Sequence, residues 1–214
     1  MKMGMVPSRQ AEQALLDVDI TALRAVLAQF HLVGSGLDPF ETVLTPALES
    51  IGRSWEAGEL ALAQVYMASR LAERLIEEDL GVQIPLRRPH PPIAMAVLED
   101  YHLLGKRLVL ASARLAGWTV ADWGVASDPQ ELARRAHREQ VAVLMVSTLM
   151  ERSARRVAGV VETLRALGAD TRVVVGGAPF RLDPSLCAQV GAAGTAATAS
   201  AVPALLSGML AVAP

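Results

Sequence analysis

Beyond residue 92 the sequence repeats one pattern five times: a short apolar run, then a longer amphipathic stretch. The runs are IAMAVL (93–98), TVADWGV (119–125), VAVLMVS (141–147), RVVVGG (172–177) and a weaker GTAATA (194–199). Apolar residues at consecutive positions leave a strand no polar face to turn to water, so such strands must be covered on both sides. The intervening helices supply that cover, and strands joined by helical crossovers run parallel. The pattern predicts a doubly wound α/β domain with a five-stranded parallel sheet. In such sheets ligands bind outside the carboxyl ends of the strands. Polar residues and glycines gather at those ends: Asp100 and His102 after the first run, Ser147 and Leu149 at the third, Gly176 and Gly177 at the fourth.

The earlier part has a different period. From about residue 8 to 82 apolar residues recur at spacings of three and four: Leu23, Val26, Leu27 and Phe30; Val43, Leu44, Leu48 and Ile51; Leu62, Val65, Met67, Leu71 and Leu75. This predicts a four-helix bundle. Breaks are expected at Gly34-Ser35-Gly36 and at Gly58, and Asp38 before Pro39 reads as a helix start. The stretch PLRRPHPP (85–92) has four prolines in eight residues and reads as a stiff connector. The expected organisation is a helical domain over 1–84, a linker over 85–92 and an α/β domain over 93–214.

Composition narrows the partners. Twenty basic against 22 acidic residues give a net charge of −2, so no global field draws the chain to nucleic acid or an anionic membrane. Arg152, Arg155 and Arg156 form a short basic cluster that reads as solvated surface. Residues 193–214 carry no charge, but they are mostly small residues with Pro203 among them, a poor membrane span; a core strand and a docked helix are expected. The single cysteine, Cys187, reads as a small hydrophobe on a helix. The N-terminus lacks a signal-peptide core, and a cytoplasmic location is expected.

Neither a G-x-G-x-x-G after the first strand nor a G-x-x-x-x-G-K-[ST] occurs, so nucleotide phosphate binding is unsupported. Asp100 two residues before His102 suits a metal-bound imidazole whose far nitrogen is held by a carboxylate, but it equally suits a loop-capping pair. No Cys, His or carboxylate cluster would complete a zinc site. A metal held here would have to bring its other ligands. Taken alone, Gly176-Gly177 is a strand-to-helix turn and Ser147 a strand-end cap.

Three segments in order, Asp100-Tyr101-His102-Leu103-Leu104-Gly105, then Ser147-Thr148-Leu149, then Gly176-Gly177, resemble the D-x-H-x-x-G, S-x-L and GG signature of cobalamin-binding domains. That family includes methionine synthase and the corrinoid carrier proteins of methyltransferase systems. Residues 51–70, IGRSWEAGELALAQVYMASR, are similar to the G-x-x-[FW]-x-x-G-x-x-x-x-x-Q stretch of its helical cap. The resemblance implies a flavodoxin-like cobalamin domain beneath a helical cap. It implies that His102 replaces the cofactor's benzimidazole as lower cobalt ligand, that Asp100 bonds the far nitrogen of His102, and that Ser153 extends this set. Ser147, Leu149, Gly176 and Gly177 would line the slot for the displaced nucleotide tail, and Gly105, which closes the first segment, would belong to the cofactor-binding set. Trp55 would rest on the upper face of the corrin; read alone, a tryptophan late in a helix is as often a core anchor.

The chain departs from the family pattern. Glu99 stands where relatives have Gly, Leu103 where they have Asp, and Glu151 where a small hydroxyl residue is common. Light-responsive cobalamin regulators follow their cap Trp with a Glu-His pair; Val65 and Tyr66 hold those positions here, and too few residues precede the cap for the regulators' DNA-binding domain. The leading expectation is therefore a non-catalytic corrinoid subunit carrying a methyl group between methyl-donor and methyl-acceptor methyltransferases, serviced by a reductive activase, with methylcobalamin favoured over adenosylcobalamin. A cobalamin-dependent sensor acting through a separate partner and a storage or delivery protein are the alternatives.

Overall fold

Among the described residues, four α-helices form over the stretch with the 3.6-residue period. The computed structural model describes residues 5–30, 39–80, 90–101 and 103–210 and divides into two units, 1–83 and 84–214. In the first, α1 (Met5–Leu16) packs against α2 (Ile20–Ala28), α3 (Thr45–Glu56) and α4 (Leu62–Leu80). Asp19 caps α2 by accepting from the Ala22 N–H at 2.9 Å. A π-helical turn at Phe40–Leu44 runs directly into α3. Leu15, Leu23, Leu27, Phe40, Ile51 and Leu75 are fully buried between the helices.

Gly58 ends α3 with φ +77°, its N–H donating to the Trp55 carbonyl at 2.9 Å; glycine adopts this left-handed conformation without a side-chain clash. The breaks expected at Gly34-Ser35-Gly36 and at Asp38 lie outside the described residues. On α4 the buried stripe is Ala68, Leu71, Ala72, Leu75 and Ile76. Its phase leaves Met67 and Tyr66 exposed and Val65 at the margin, which corrects the expectation that Val65 and Met67 belong to the core stripe.

In the second unit, β1 (Ile93–Leu98), β2 (Ala121–Ala126), β3 (Val143–Ser147), β4 (Arg172–Gly176) and β5 (Gly194–Thr195) form one parallel sheet in the order β2-β1-β3-β4-β5. This is the flavodoxin-like order. The crossovers carry α5 (Leu104–Leu115), α6 (Pro129–Arg138), α7 (Glu151–Ala166), the short α8 (Ala178–Leu182) and α9 (Leu186–Gln189), and α10 (Val202–Leu210) closes the unit. Alternate residues of the central strands serve two cores. Ala94, Ala96, Leu98, Leu144 and Val146 pack on residues of α6 and α7, and Ile93, Met95, Val143, Met145 and Val174 on residues of α5 and α10.

The two edge strands differ from expectation. The run at 119–125 reads as apolar on both faces, but β2 is largely exposed because, among the described strands, it pairs only with β1 and forms one edge of the sheet. Trp123 there lies under the Arg135 guanidinium, 4.1 Å from its ring centroid. β5 contains two residues. In the uncharged C-terminal stretch, α10 buries Val202 and Leu206 against the sheet, and no described helix is long and apolar enough to cross a membrane. Cys187 lies half-buried on α9, and burial pushes its thiol pKa up.

Candidate functional site

The strand order fixes where a site can form. From β1 the chain crosses to β2 on one side and then returns past β1 to β3 on the other, so the carboxyl ends of β1 and β3 flank the topological switch point. Register brings three strand ends level: Val97 pairs with Ser147, and Ser147 with Gly176. By alternation all three side-chain positions face the α5–α10 side. A Cβ built on Gly105, in the first turn of α5, would sit 3.7 Å from Ser147 Oγ.

Asp100, just past β1, is 6% exposed. Its Oδ2 accepts from the backbone N–H of Leu149 at 2.7 Å and of Met150 at 3.4 Å, tying the loop after β1 to the loop after β3. Among the described residues both of its hydrogen bonds end on Oδ2, so neither engages Oδ1. His102 lies outside the described residues. Ser153 is buried on α7 but makes no hydrogen bond to Asp100. Leu149 and Met150 present apolar side chains to solvent, as does Tyr101.

The two glycines after β4 are not equivalent. Gly177 has φ +114°, and a Cβ there would fall 1.8 Å from the Thr148 carbonyl oxygen. Only glycine lets the chain pass so close to the β3 loop. Gly176 has no heavy atom within 4 Å of its ideal Cβ, so it borders open space on the α5–α10 face. Between the two loops the Thr148 N–H donates to the Gly176 carbonyl at 3.0 Å. Among the described residues Thr148 Oγ1 is buried without a hydrogen-bond partner.

The structure thus brings Asp100, Gly105, Ser147, Leu149, Gly176 and Gly177 to one rim. Trp55 belongs to the helical unit; on α3 it is 41% exposed, so it is no fully buried core anchor there.

Three features escaped the sequence reading. Thr148 hides as the variable position inside Ser147-Thr148-Leu149. Lys106 is the second: its side chain is 6% exposed and its Nζ donates to both oxygens of Asp122 on β2, at 2.6 and 2.8 Å. Burial opposes the charge of Asp122, but the Lys106 hydrogen bond, the Gly124 N–H and the charges of Lys106 and Arg114 outweigh it and hold this carboxyl below its ordinary pKa. A lysine in register with Leu110 and Ala113 on the inner stripe of α5 was the visible signal; its partner on another strand was not. The third is Arg156, which pairs with Glu99, while Arg155 pairs with Glu151 at 2.7 Å. Two of the three arginines read as solvated surface are therefore bonded. Among the described residues no group of three or more His, Cys, Asp or Glu forms a metal site.

Two family models, each described as a B12 binding domain, match this chain: one over residues 92–205, the other over residues 8–78. Trimethylamine corrinoid protein 1 of Methanosarcina mazei is 24% identical over 183 residues, covering 81% of this chain and 84% of that protein. The HTH-type transcriptional repressor CarH of Myxococcus xanthus is 28% identical over 152 residues, covering 71% of this chain and 50% of CarH. Among solved structures, the monomethylamine corrinoid protein of Methanosarcina barkeri superimposes with a TM-score of 0.72 at 19% identity, over 92% of this chain and 94% of that one. The first model alone spans more than half of the sequence, across the whole switch-point rim: the chain belongs to the B12-binding family.

Proposed function

We propose that this protein holds cobalamin with the nucleotide tail drawn into the sheet and His102 as the lower cobalt ligand, and that it carries a methyl group between partner methyltransferases. The observation that carries the reading is the Asp100 carboxylate, buried at the switch point and anchored through Oδ2 to the Leu149 and Met150 N–H groups, two residues before the only histidine of the motif. Anchored in this way, Asp100 is the acceptor proposed for the far ring N–H of His102, fixing tautomer and ring orientation.

The rim fits such a cofactor. Open space at Gly176, on the face shared with Gly105 and Ser147, leaves room for a tail that a side chain would fill. The buried hydroxyl of Thr148, which finds no partner among the described residues, is a polar group at the same rim with hydrogen-bonding capacity to offer. Exposed Leu149, Met150 and Tyr101 suit the apolar underside of a corrin ring. Ser153 stands near these residues in sequence, and we keep it as a proposed contributor to the ligand set. When bound, cobalamin supplies the cobalt that accepts a methyl group from one partner and yields it to another.

The remaining roles follow from the residues. Trp55, exposed on α3, is proposed to shield the upper face from water. The proline-rich 85–92 is the proposed boundary and hinge between a helical domain at 1–84 and the cobalamin domain at 93–214. Methyl-donor and methyl-acceptor methyltransferases and a reductive activase are the proposed partners, and the cytoplasm the proposed location. The naming of relatives as trimethylamine and dimethylamine corrinoid proteins, and the fold shared with a methanol:cobalamin methyltransferase complex, support this reading. The match to CarH favours a second reading, a cobalamin-dependent sensor. Against it, the regulators' Glu-His positions are held by Val65 and Tyr66, which offer an apolar surface suited to a methyl rather than an adenosyl group.

The test is uptake and turnover. Apo-protein mixed with methylcobalamin or hydroxocobalamin and passed through a sizing column is expected to retain the cofactor in one-to-one proportion and to undergo repeated reduction and remethylation. A colourless protein fraction would end the reading.

A further inference from the structure

Glu99 stands where the motif's entrance needs a left-handed backbone, with φ +57°. That conformation strains any residue with a Cβ, so it persists only where its surroundings over-determine it. Three contacts do so. The Glu99 N–H donates to the carbonyl of Ala126, the last residue of β2, at 2.8 Å. Its carboxylate is gripped by the Arg156 guanidinium of α7, 57 residues further along the chain. Its neighbour Asp100 is anchored to the β3 loop at Leu149 and Met150. The pair is partly sheltered: the Glu99 side chain is 18% and that of Arg156 43% exposed.

At the other end of the same segment the buried Lys106 is fastened to Asp122 on β2. Glu99 and Lys106, which flank the motif's histidine in sequence, are thus each held by an ion pair to a different element. The inner pair, with its lysine buried, is the more shielded from solvent salt and the outer one the less.

We propose that Glu99 and Arg156 form an electrostatic clasp that positions the His102 segment before the cofactor arrives, so that they are positioning residues for lower-ligand coordination. The inference rests on the cobalamin reading above. The clasp restrains a loop whose first residue is under backbone strain and keeps Asp100 against the Leu149 amide. Releasing it lets the loop relax, and a ligand that must be ordered on binding is held less tightly.

The test compares wild type with Arg156→Gln, Glu99→Gln, the double variant and Arg156→Lys. In the apo-proteins, hydrogen exchange at the Leu149 amide reads the loop directly. In the holo-proteins, cobalamin release to a scavenger is timed at low and high salt, and nitrogen coupling to Co(II) gives the fraction with histidine bound. Each glutamine variant is expected to exchange the Leu149 amide faster, release cobalamin about threefold faster and show a smaller histidine-bound fraction. The double variant should be no worse than either single one, and Arg156→Lys should recover most of the wild-type behaviour. High salt should speed release in wild type and leave Arg156→Gln unchanged. Wild-type exchange at Leu149 in the glutamine variants, or effects that add in the double variant, would overturn the clasp while leaving the cobalamin reading in place. Failure of the wild type to bind cobalamin would sink that reading and the coordination role with it, and the exchange experiment would still judge the clasp.

Discussion

Replacing Gly177 and Gly176 by alanine, one at a time, separates what the fold requires from what the cofactor requires. At Gly177 the new Cβ would lie 1.8 Å from the Thr148 carbonyl oxygen and 2.9 Å from its carbonyl carbon. These are backbone atoms, so no side-chain rotation relieves the clash. The β3 and β4 loops must part, losing the Thr148 N–H to Gly176 bond, worth about 1 kcal/mol with the exposed remainder, and alanine must hold φ +114° at a strain of about 1–3 kcal/mol. Displaced packing brings the expected loss to roughly 3–5 kcal/mol, or a fall of about 10 °C in the midpoint of thermal unfolding.

Gly176→Ala meets nothing within 4 Å and sits in ordinary strand backbone. Its stability should change by less than about 1 kcal/mol. If the nucleotide tail runs past this position, cobalamin affinity should nevertheless fall at least tenfold, about 1.4 kcal/mol. Calorimetry of the apo-proteins and titration with hydroxocobalamin measure the two effects. Gly176→Ala with undiminished affinity would show that no slot passes this residue, and Gly177→Ala melting at the wild-type temperature would refute the steric argument.

Trp55→Ala should lower stability by less than about 2 kcal/mol, since the ring is 41% exposed, and leave the corrin bound, yet speed photolysis of the methyl group; an unchanged photolysis rate would remove Trp55 from the cap. Asp122, with its pKa held below the ordinary aspartate value, binds protons more readily unfolded than folded. The stability it contributes is therefore present above about pH 4 and lost as pH falls through the depressed folded value. Asp122→Asn should flatten acid unfolding in that window and cost about 2 kcal/mol at neutral pH by leaving Lys106 buried without its counter-charge, the figure discounted because Asp122 is 38% exposed. Unchanged acid-unfolding curves would show that the pair contributes nothing. Adenosylcobalamin should confer no light-dependent change in sedimentation; a clear dark-to-light shift, absent with methylcobalamin, would favour the sensor.

The central sheet was legible because β1, β3 and β4 are covered on both faces, so their residues, such as Ile93–Leu98, had to be apolar without interruption. β2 was harder to read, since an edge strand tolerates Asp122 and Gly124, and sequence does not announce which strand ends at an edge. The phase of α4 was misjudged because Val65 and Met67 are apolar yet lie off the stripe set by Ala68, Ala72 and Ile76; alanines carry the packing there and give little hydrophobic signal. At the rim, Asp100, Ser147 and the two glycines were visible as a motif. The partnerships that give them meaning, Asp100 with the Leu149 amide or Glu99 with Arg156, join residues about 50 or more positions apart. Periodicity holds no record of such contacts. The motif also could not say that a Cβ at Gly177 would strike backbone while one at Gly176 would meet only open space.

The central claim is that a histidine of this chain, and not the cofactor's own base, holds the lower face of the cobalt. Paramagnetic resonance of the reduced Co(II) protein, prepared with histidine labelled in the ring with nitrogen-15, tests it directly. The account predicts that the nitrogen coupling changes from a triplet to a doublet on labelling and disappears in His102→Ala. A triplet that survives both labelling and substitution would mean that dimethylbenzimidazole remains on the metal, and the proposed mode of binding would be wrong.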